Sequence, residues 1–156
     1  MSVEKKYISD VETILSHRHD NGADFWATID HKLLKGAPYT TLESILYLLE
    51  LGVSPDDEVM KNAAGLIFSN WKEDGRVKTS PTGGIYPCQT ALAVNTLCHM
   101  GYSNDDRIKK SFAYFLDTQQ GRNTDEQYCV DKVLAHRKKF WIYFAKKHQV
   151  KYKLEL

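Results

Sequence analysis

An internal repeat constrains the fold of this chain more than any other feature of its sequence. At an offset of 49 residues, the segment 85–120 aligns without a gap on an upstream segment, and Gly101 falls on Gly52. The other matching positions are Pro87 on Pro38, Thr90 on Thr41, Leu97 on Leu48, Ser103 on Ser54, Asp105 and Asp106 on Asp56 and Asp57, Ile108 on Val59, Ala113 on Ala64, and Leu116 on Ile67. A period of this length is typical of stacked helical repeats, so we predict an all-α fold.

The first complete unit, residues 39–75, carries start and stop signals for two helices. Thr40 or Thr41 can cap the first helix, and Gly52 suits the left-handed residue that ends it. Ser54 is the predicted N-cap of the second helix, which would run to about residue 71. The apolar stripes predict burial of Leu42, Ile45, Leu46 and Leu49 on the first helix, and of Val59, Ala63, Leu66, Ile67 and Trp71 on the second.

The second unit, residues 87–120, repeats this plan. Residues 88–100 are almost all apolar or small, so we expect them to form the most buried helix. Residues 104–120 predict an amphipathic helix capped by Ser103 or Asn104. Its predicted buried stripe consists of Ile108, Phe112, Phe115 and Leu116. In both units the first helix is the more apolar, which indicates an inner and an outer layer of helices.

The repeat region, residues 1–120, opens on a half unit at residues 3–22, in which residues 3–19 predict an outer helix. Connectors rich in glycine and proline separate the units, and the first of them could hold a turn of helix at 30–34. Residues 121–156 break the period, and within them 124–147 predict a further helix that does not belong to the repeat.

The formal charge of the chain is distributed unevenly. Residues 1–120 hold 12 Lys and Arg against 16 Asp and Glu, whereas residues 121–156 hold 9 against 4. The basic, aromatic C-terminal helix could pack on the open end of the repeats, lie on a membrane surface or bind nucleic acid. We favour packing on the repeats, and we predict no nucleic-acid partner because the acidic body would repel phosphates.

Three further features indicate the compartment. No apolar run approaches the roughly 20 residues that a membrane span needs. The N-terminal residues lack the apolar core of a secretory signal. The three cysteines Cys88, Cys98 and Cys129 show no paired spacing, which favours reduced thiols. We therefore predict a cytoplasmic protein.

The helix pairs, the unit of about fifty residues and the Asp-Gly or Asn-Gly after an outer helix resemble the prenyltransferase and squalene-oxidase repeat of the α/α toroid, or terpenoid-cyclase-like, superfamily. The matching residues are Asp74 and Gly75 in WKEDGRV, Asn21, Gly22 and Trp26 in HDNGADFW, and Gln120 and Gly121 in DTQQGRN. The resemblance covers residues 3–120 and implies a partial α/α toroid like that of small uncharacterised prokaryotic members.

A complete toroid contains more helix pairs than the two and a half predicted here, so we expect a homo-oligomer or a protein partner to cover the open faces. The resemblance implies a repeat protein that binds a partner chain or an apolar ligand on its inner face. The alternative is an enzyme of prenyl transfer or terpenoid cyclisation with an isoprenoid substrate. We favour the first, because the acidic pairs at 56–57 and 105–106 suit helix starts, where the dipole stabilises them.

The resemblance also implies that the loops before the inner helices line a cavity. It makes five residues of these loops candidates for ligand binding: Trp26, Tyr39, Trp71, Tyr86 and Cys88. The alternative is that the aromatic side chains only join the helix layers.

We predict no metal and no cofactor. Cys88 and His99 would lie roughly 16 Å apart along one helix, too far to share a zinc ion. His17, His19 and Asp20 look like a metal cluster, but the dipole at a helix C-terminus also favours histidine.

Overall fold

The computed structural model describes residues 3–36 and 39–117. Within these ranges the secondary structure is helical, with three isolated β-bridges and no β-strand, which confirms the all-α prediction. The α-helices are α1 (Ile8–Ser16), α2 (Thr41–Glu50), α3 (Glu58–Ser69), α4 (Pro87–His99) and α5 (Asp106–Asp117). Two 3-10 helices, Lys5–Tyr7 and Tyr102–Asn104, precede α1 and α5.

The helices α2 and α4 pack on each other at the centre of the core. α2 also packs on α1 and α3, and α4 also packs on α5. Burial of the apolar side chains removes them from water and stabilises the packed state. The fully buried apolar residues on these helices include Leu42, Ile45, Leu48, Met60, Ala63, Ile67, Ala93, Leu97 and Ile108.

The prediction that the helix at 88–100 is the most buried one is confirmed only in part. α4 has six buried residues among 13, and α2 has five among ten. The two helices are buried to a similar extent because they pack on each other.

The predicted start and end of α2 are confirmed. Thr40 is its N-cap, and the Thr40 hydroxyl accepts a hydrogen bond from the Glu43 backbone N–H. The same hydroxyl donates to the Glu43 carboxylate at 2.8 Å, which ties the first turn together. Gly52 has φ +91°, the left-handed conformation that glycine adopts without steric cost.

The predicted start of α3 at Ser54 is wrong. Asp57 is the N-cap, because its carboxylate accepts a hydrogen bond of 2.9 Å from the Val59 N–H. Ser54 instead closes a turn, in which its hydroxyl accepts from the Asp56 N–H at 3.1 Å. Ser and Asp cap helices about equally well, so the choice here depends on the turn that Ser54 closes before the helix begins.

The second helix of the other unit also begins later than predicted. Ser103 and Asn104 belong to the 3-10 helix, and Asp105 caps α5 by accepting a hydrogen bond of 2.9 Å from the Arg107 N–H.

The predicted apolar stripe of α5 is wrong at two of its positions. Ile108 is buried and Phe115 partly buried, but Phe112 and Leu116 are 43% and 58% exposed. Ser111 occupies a buried position in their place, because its hydroxyl bonds to the second connector.

The predicted apolar stripes of the first unit also differ from the residues that are buried. Leu46, Leu49, Val59, Leu66 and Trp71 are only partly buried, whereas Leu48 and Met60 are fully buried.

The connectors have structure of their own. Residues 30–34 form no helix, and Leu33 is fully buried with its N–H donating to the Thr79 carbonyl of the other connector. Each connector also contains an isolated antiparallel bridge, Gly22 with Thr28 and Trp71 with Val77. The Leu33–Thr79 hydrogen bond joins the two connectors, and each bridge closes one connector on itself.

Several predictions lie outside the described residues. The end of the second unit at 118–120, the segment 121–156 and its helix at 124–147 all belong to this part of the chain. Among the helices of residues 3–36 and 39–117, none is long and apolar enough to cross a bilayer.

Candidate functional site

Trp26 lies in the first connector and is fully buried. Its indole N–H donates a hydrogen bond of 2.9 Å to the Ile14 carbonyl near the end of α1. The connector reaches this position through two consecutive residues with positive φ, Phe25 at 56° and Trp26 at 57°. In this structure the Trp26 side chain is part of the core and presents no surface to a ligand.

Asn21 connects Trp26 with Tyr39. Its side-chain amide donates to the Trp26 carbonyl at 2.9 Å and to the Tyr39 carbonyl at 2.6 Å. Gly36 lies against the same amide, so closely that a Cβ atom at Gly36 would fall 2.2 Å from the Asn21 side chain. The two ends of the connector are thereby joined just before α2 begins.

The Tyr39 ring is partly buried and lies beside titratable side chains. Its centroid is 5.0 Å from that of the His17 ring, and His17 Nδ1 is 2.5 Å from a carboxylate oxygen of Asp20. The pKa of the nearby Tyr47 is raised to about 12, chiefly by burial and in addition by the charges of Glu43 and Tyr39. The Tyr47 hydroxyl therefore remains protonated at neutral pH and can donate a hydrogen bond.

Trp71 lies in the second connector and packs against α5. Its indole N–H donates to the Ser111 hydroxyl at 3.2 Å, and Lys110 Nζ lies 5.7 Å from the centroid of its ring. Trp71 is partly buried and is bridged to Val77 through the backbone. Its contacts join a connector to α5, as expected from the alternative interpretation of the aromatic residues.

Tyr86 and Cys88 lie at the start of α4. Tyr86 is the N-cap residue, and 58% of its surface is exposed. Cys88 follows two positions later as a half-buried free thiol. Of the five predicted site residues, these two share one helix start, Trp26 and Tyr39 are joined by Asn21, and Trp71 lies against α5.

In both units a threonine of the central helix bonds to the preceding connector, although the two bonds differ in direction and in partner. The Thr41 hydroxyl on α2 donates to the Phe25 carbonyl at 2.7 Å, and the Thr90 hydroxyl on α4 accepts from the Val77 N–H at 3.1 Å. Both threonines are fully buried, and each fastens the preceding connector to the helix that follows it. The 49-residue offset pairs these two threonines, so the repeat itself carried the signal, although the sequence did not indicate their bonding role.

The side chains at the histidine-rich end of α1 lie against nearby aspartates. His17 pairs with Asp20, and Arg18 Nε lies 2.6 Å from a carboxylate oxygen of Asp24. In the part of the chain that the structure describes, no group of three or more His, Cys, Asp or Glu side chains is placed to hold a metal ion. Burial raises the pKa of the Cys98 thiol, which lies farther along α4.

Comparison with protein-family models, with curated proteins and with solved structures finds no match to this chain. The resemblance to the prenyltransferase and squalene-oxidase repeat therefore stays a prediction.

Proposed function

We propose that the chain is a helical-repeat binding protein, which takes a partner chain or an apolar ligand at the face where α2 and α4 begin. Tyr39, Tyr86 and Cys88 are the residues that would contact the ligand. The observation that carries this proposal is the exposed ring of Tyr86 at the start of α4. A tyrosine ring has an apolar body and a polar tip, which suits the edge of a binding surface.

The local similarity of the two units supports this location. A tyrosine precedes or caps each of the two central helices, Tyr39 before α2 and Tyr86 at α4. Thr41 and Thr90 fasten the preceding connector to each helix. The proposed arrangement is a partial α/α toroid, in which α2 and α4 are inner helices. A surface held by buried hydrogen bonds needs little reorganisation on binding, which favours affinity.

Thermal denaturation of the full chain with farnesol tests the apolar-ligand form of the proposal. We expect farnesol to raise the Tm of the wild type and of Tyr86→Phe, and to have no effect on Tyr86→Ala, which lacks the ring. Ile29→Ala is the control, since Ile29 is also an exposed apolar residue but lies within the first connector. This variant should respond like the wild type.

The same experiment with farnesyl diphosphate addresses the enzyme alternative. A rise in Tm that requires the diphosphate, or stoichiometric zinc in the purified protein, would favour prenyl transfer or cyclisation over simple binding. No shift with either compound would remove the apolar ligand from the proposal.

A further inference from the structure

The first and last described helices each expose a stripe of one charged and two apolar residues. On α1, Ile8 and Leu15 are 44% and 36% exposed, and Glu12 lies between them on the same face. α1 packs on α2 through the adjoining face, where Val11 and Ile14 are buried. We call Ile8, Glu12 and Leu15 the α1 stripe.

The corresponding set on α5 is Lys109, Phe112 and Leu116, the α5 stripe. Phe112 and Leu116 are 43% and 58% exposed, and Lys109 is also exposed. Residues spaced by three and four positions share one face of a helix. α5 packs on α4 through a different face, where Ile108 and Ser111 are buried.

The two stripes are complementary in charge and in length. α1 contains Asp10 and Glu12 and no lysine or arginine, whereas α5 contains three basic residues against two acidic ones. The first and last residues of each stripe are seven positions apart, which is about 10 Å along a helix. The ion pair that Lys109 makes with Asp106 is 60% and 89% exposed, so it competes only weakly with a new partner.

The spacing permits contact in either helix direction. With Glu12 opposite Lys109, Leu15 falls beside Phe112 if the two helices run parallel. If they run antiparallel, Ile8 falls beside Phe112. An apolar contact therefore accompanies the ion pair in both arrangements.

We infer that a second copy of this chain covers these stripes, with α1 of each copy packed on α5 of the other. Both complementary surfaces belong to the same chain, at the two ends of its described helix order. In a closed dimer both stripes of both copies take part in a contact, whereas one such contact alone would leave two stripes free and allow filaments. This inference concerns α1 and α5 and is independent of the ligand proposed at α2 and α4.

Sedimentation velocity of the full chain over a range of concentrations tests the inference. The wild type should sediment as a dimer of the 17.9 kDa chain. Glu12→Lys or Lys109→Glu alone should raise the dimer dissociation constant by about tenfold or more, because like charges then face each other. The double variant E12K/K109E should recover the dimer, as should an equimolar mixture of the two single variants.

Lys61→Glu is the matched control. Lys61 on α3 pairs with Asp56 at 54% and 88% exposure, close to the values for Lys109 and Asp106. The K61E variant should dimerise like the wild type.

Three outcomes would overturn the inference. The first is a wild type that remains a monomer at every concentration. The second is a dimer whose mass is unchanged by the single charge reversals. An effect of K109E without an effect of E12K would also overturn it, because the α5 stripe would then have another occupant, such as residues 118–156 of the same chain.

Discussion

The Ser111 hydroxyl on α5 donates a hydrogen bond of 2.5 Å to the Gly75 carbonyl, and the Gly75 backbone lies directly against the backbone of α5. The same hydroxyl accepts from the Trp71 indole, so one buried serine holds two points of the second connector. These contacts join positions 36 and 40 residues apart in sequence. They explain why a polar residue occupies a buried position on α5.

Gly75→Ala should lower the free energy of unfolding by about 2–4 kcal/mol. Gly75 has φ +89°, and a Cβ atom there would lie 2.5 Å from the Lys110 carbonyl oxygen, which belongs to the backbone and cannot rotate away. Chemical denaturation measures the difference. Gly65→Ala is the control, because Gly65 lies within α3 with nothing within 4 Å of its added Cβ, and it should stabilise by about 0.5–1 kcal/mol. Equal stability of G75A and the wild type would contradict the close approach.

Trp26→Phe should lower the free energy of unfolding by about 2–4 kcal/mol. The smaller ring leaves a cavity in the core, and the Ile14 carbonyl loses the indole N–H that it accepts. Urea denaturation followed by circular dichroism checks this value. Tyr86→Phe, which changes an exposed side chain, should remain within about 0.5 kcal/mol of the wild type. A W26F variant as stable as Y86F would show that the Trp26 side chain is not buried.

Thr41→Val and Thr90→Val should each cost about 1–3 kcal/mol, because each leaves a buried backbone group of a connector without its partner. Similar losses are expected since the two threonines occupy equivalent positions in the two units. Thr96→Val is the control: Thr96 is also fully buried on α4, but its hydroxyl bonds only to the Leu92 carbonyl of the same helix. The two threonines are not equivalent if one of the two variants loses no more stability in denaturation than T96V does.

Acid should destabilise the fold through Asp105. Hydrogen bonds from the Arg107 side chain lower the pKa of Asp105 to about 2, and the Arg107 N–H adds to the effect. An aspartate in the unfolded chain has a pKa of about 3.9, so the stabilisation is present above about pH 4 and is lost as the pH falls toward 2. Asp30, whose pKa is lowered to about 2 chiefly by hydrogen bonds from Lys32 and Thr28, acts in the same direction.

Asp105→Asn should therefore flatten the fall in stability between about pH 4 and pH 2, as measured by denaturation at a series of pH values. Some slope should remain because of Asp30. Asp106→Asn is the control, since Asp106 is exposed and pairs with Lys109 at the surface. An unchanged slope in D105N would contradict the role of Asp105.

The features of this fold that depend only on residues close in sequence could be predicted well. Thr40 caps α2 and Gly52 ends it in the left-handed conformation, as their local preferences indicate. The predicted start of α3 was wrong because Ser54 and Asp57 are both good caps. Ser54 closes a turn, which leaves Asp57 to cap the helix.

The candidate site was less predictable. Trp26, Tyr39, Trp71 and Tyr86 look alike as aromatic residues of connectors, yet Trp26 is fully buried and Tyr86 is 58% exposed. Trp26 is held in the core by its hydrogen bond to the Ile14 carbonyl, whereas the Tyr86 ring remains exposed. Contacts of this kind have no local sequence signal.

By itself, the sequence determined that the described chain is helical and that Thr41 and Thr90 occupy equivalent positions in its two units. These properties follow from short-range preferences and from the repeat at an offset of 49 residues. Only the tertiary structure decided which face of α5 is buried. Apolar spacing correctly placed Ile108 in the core, but the close approach of Gly75 and its hydrogen bond to Ser111 buried Ser111 and left Phe112 and Leu116 exposed.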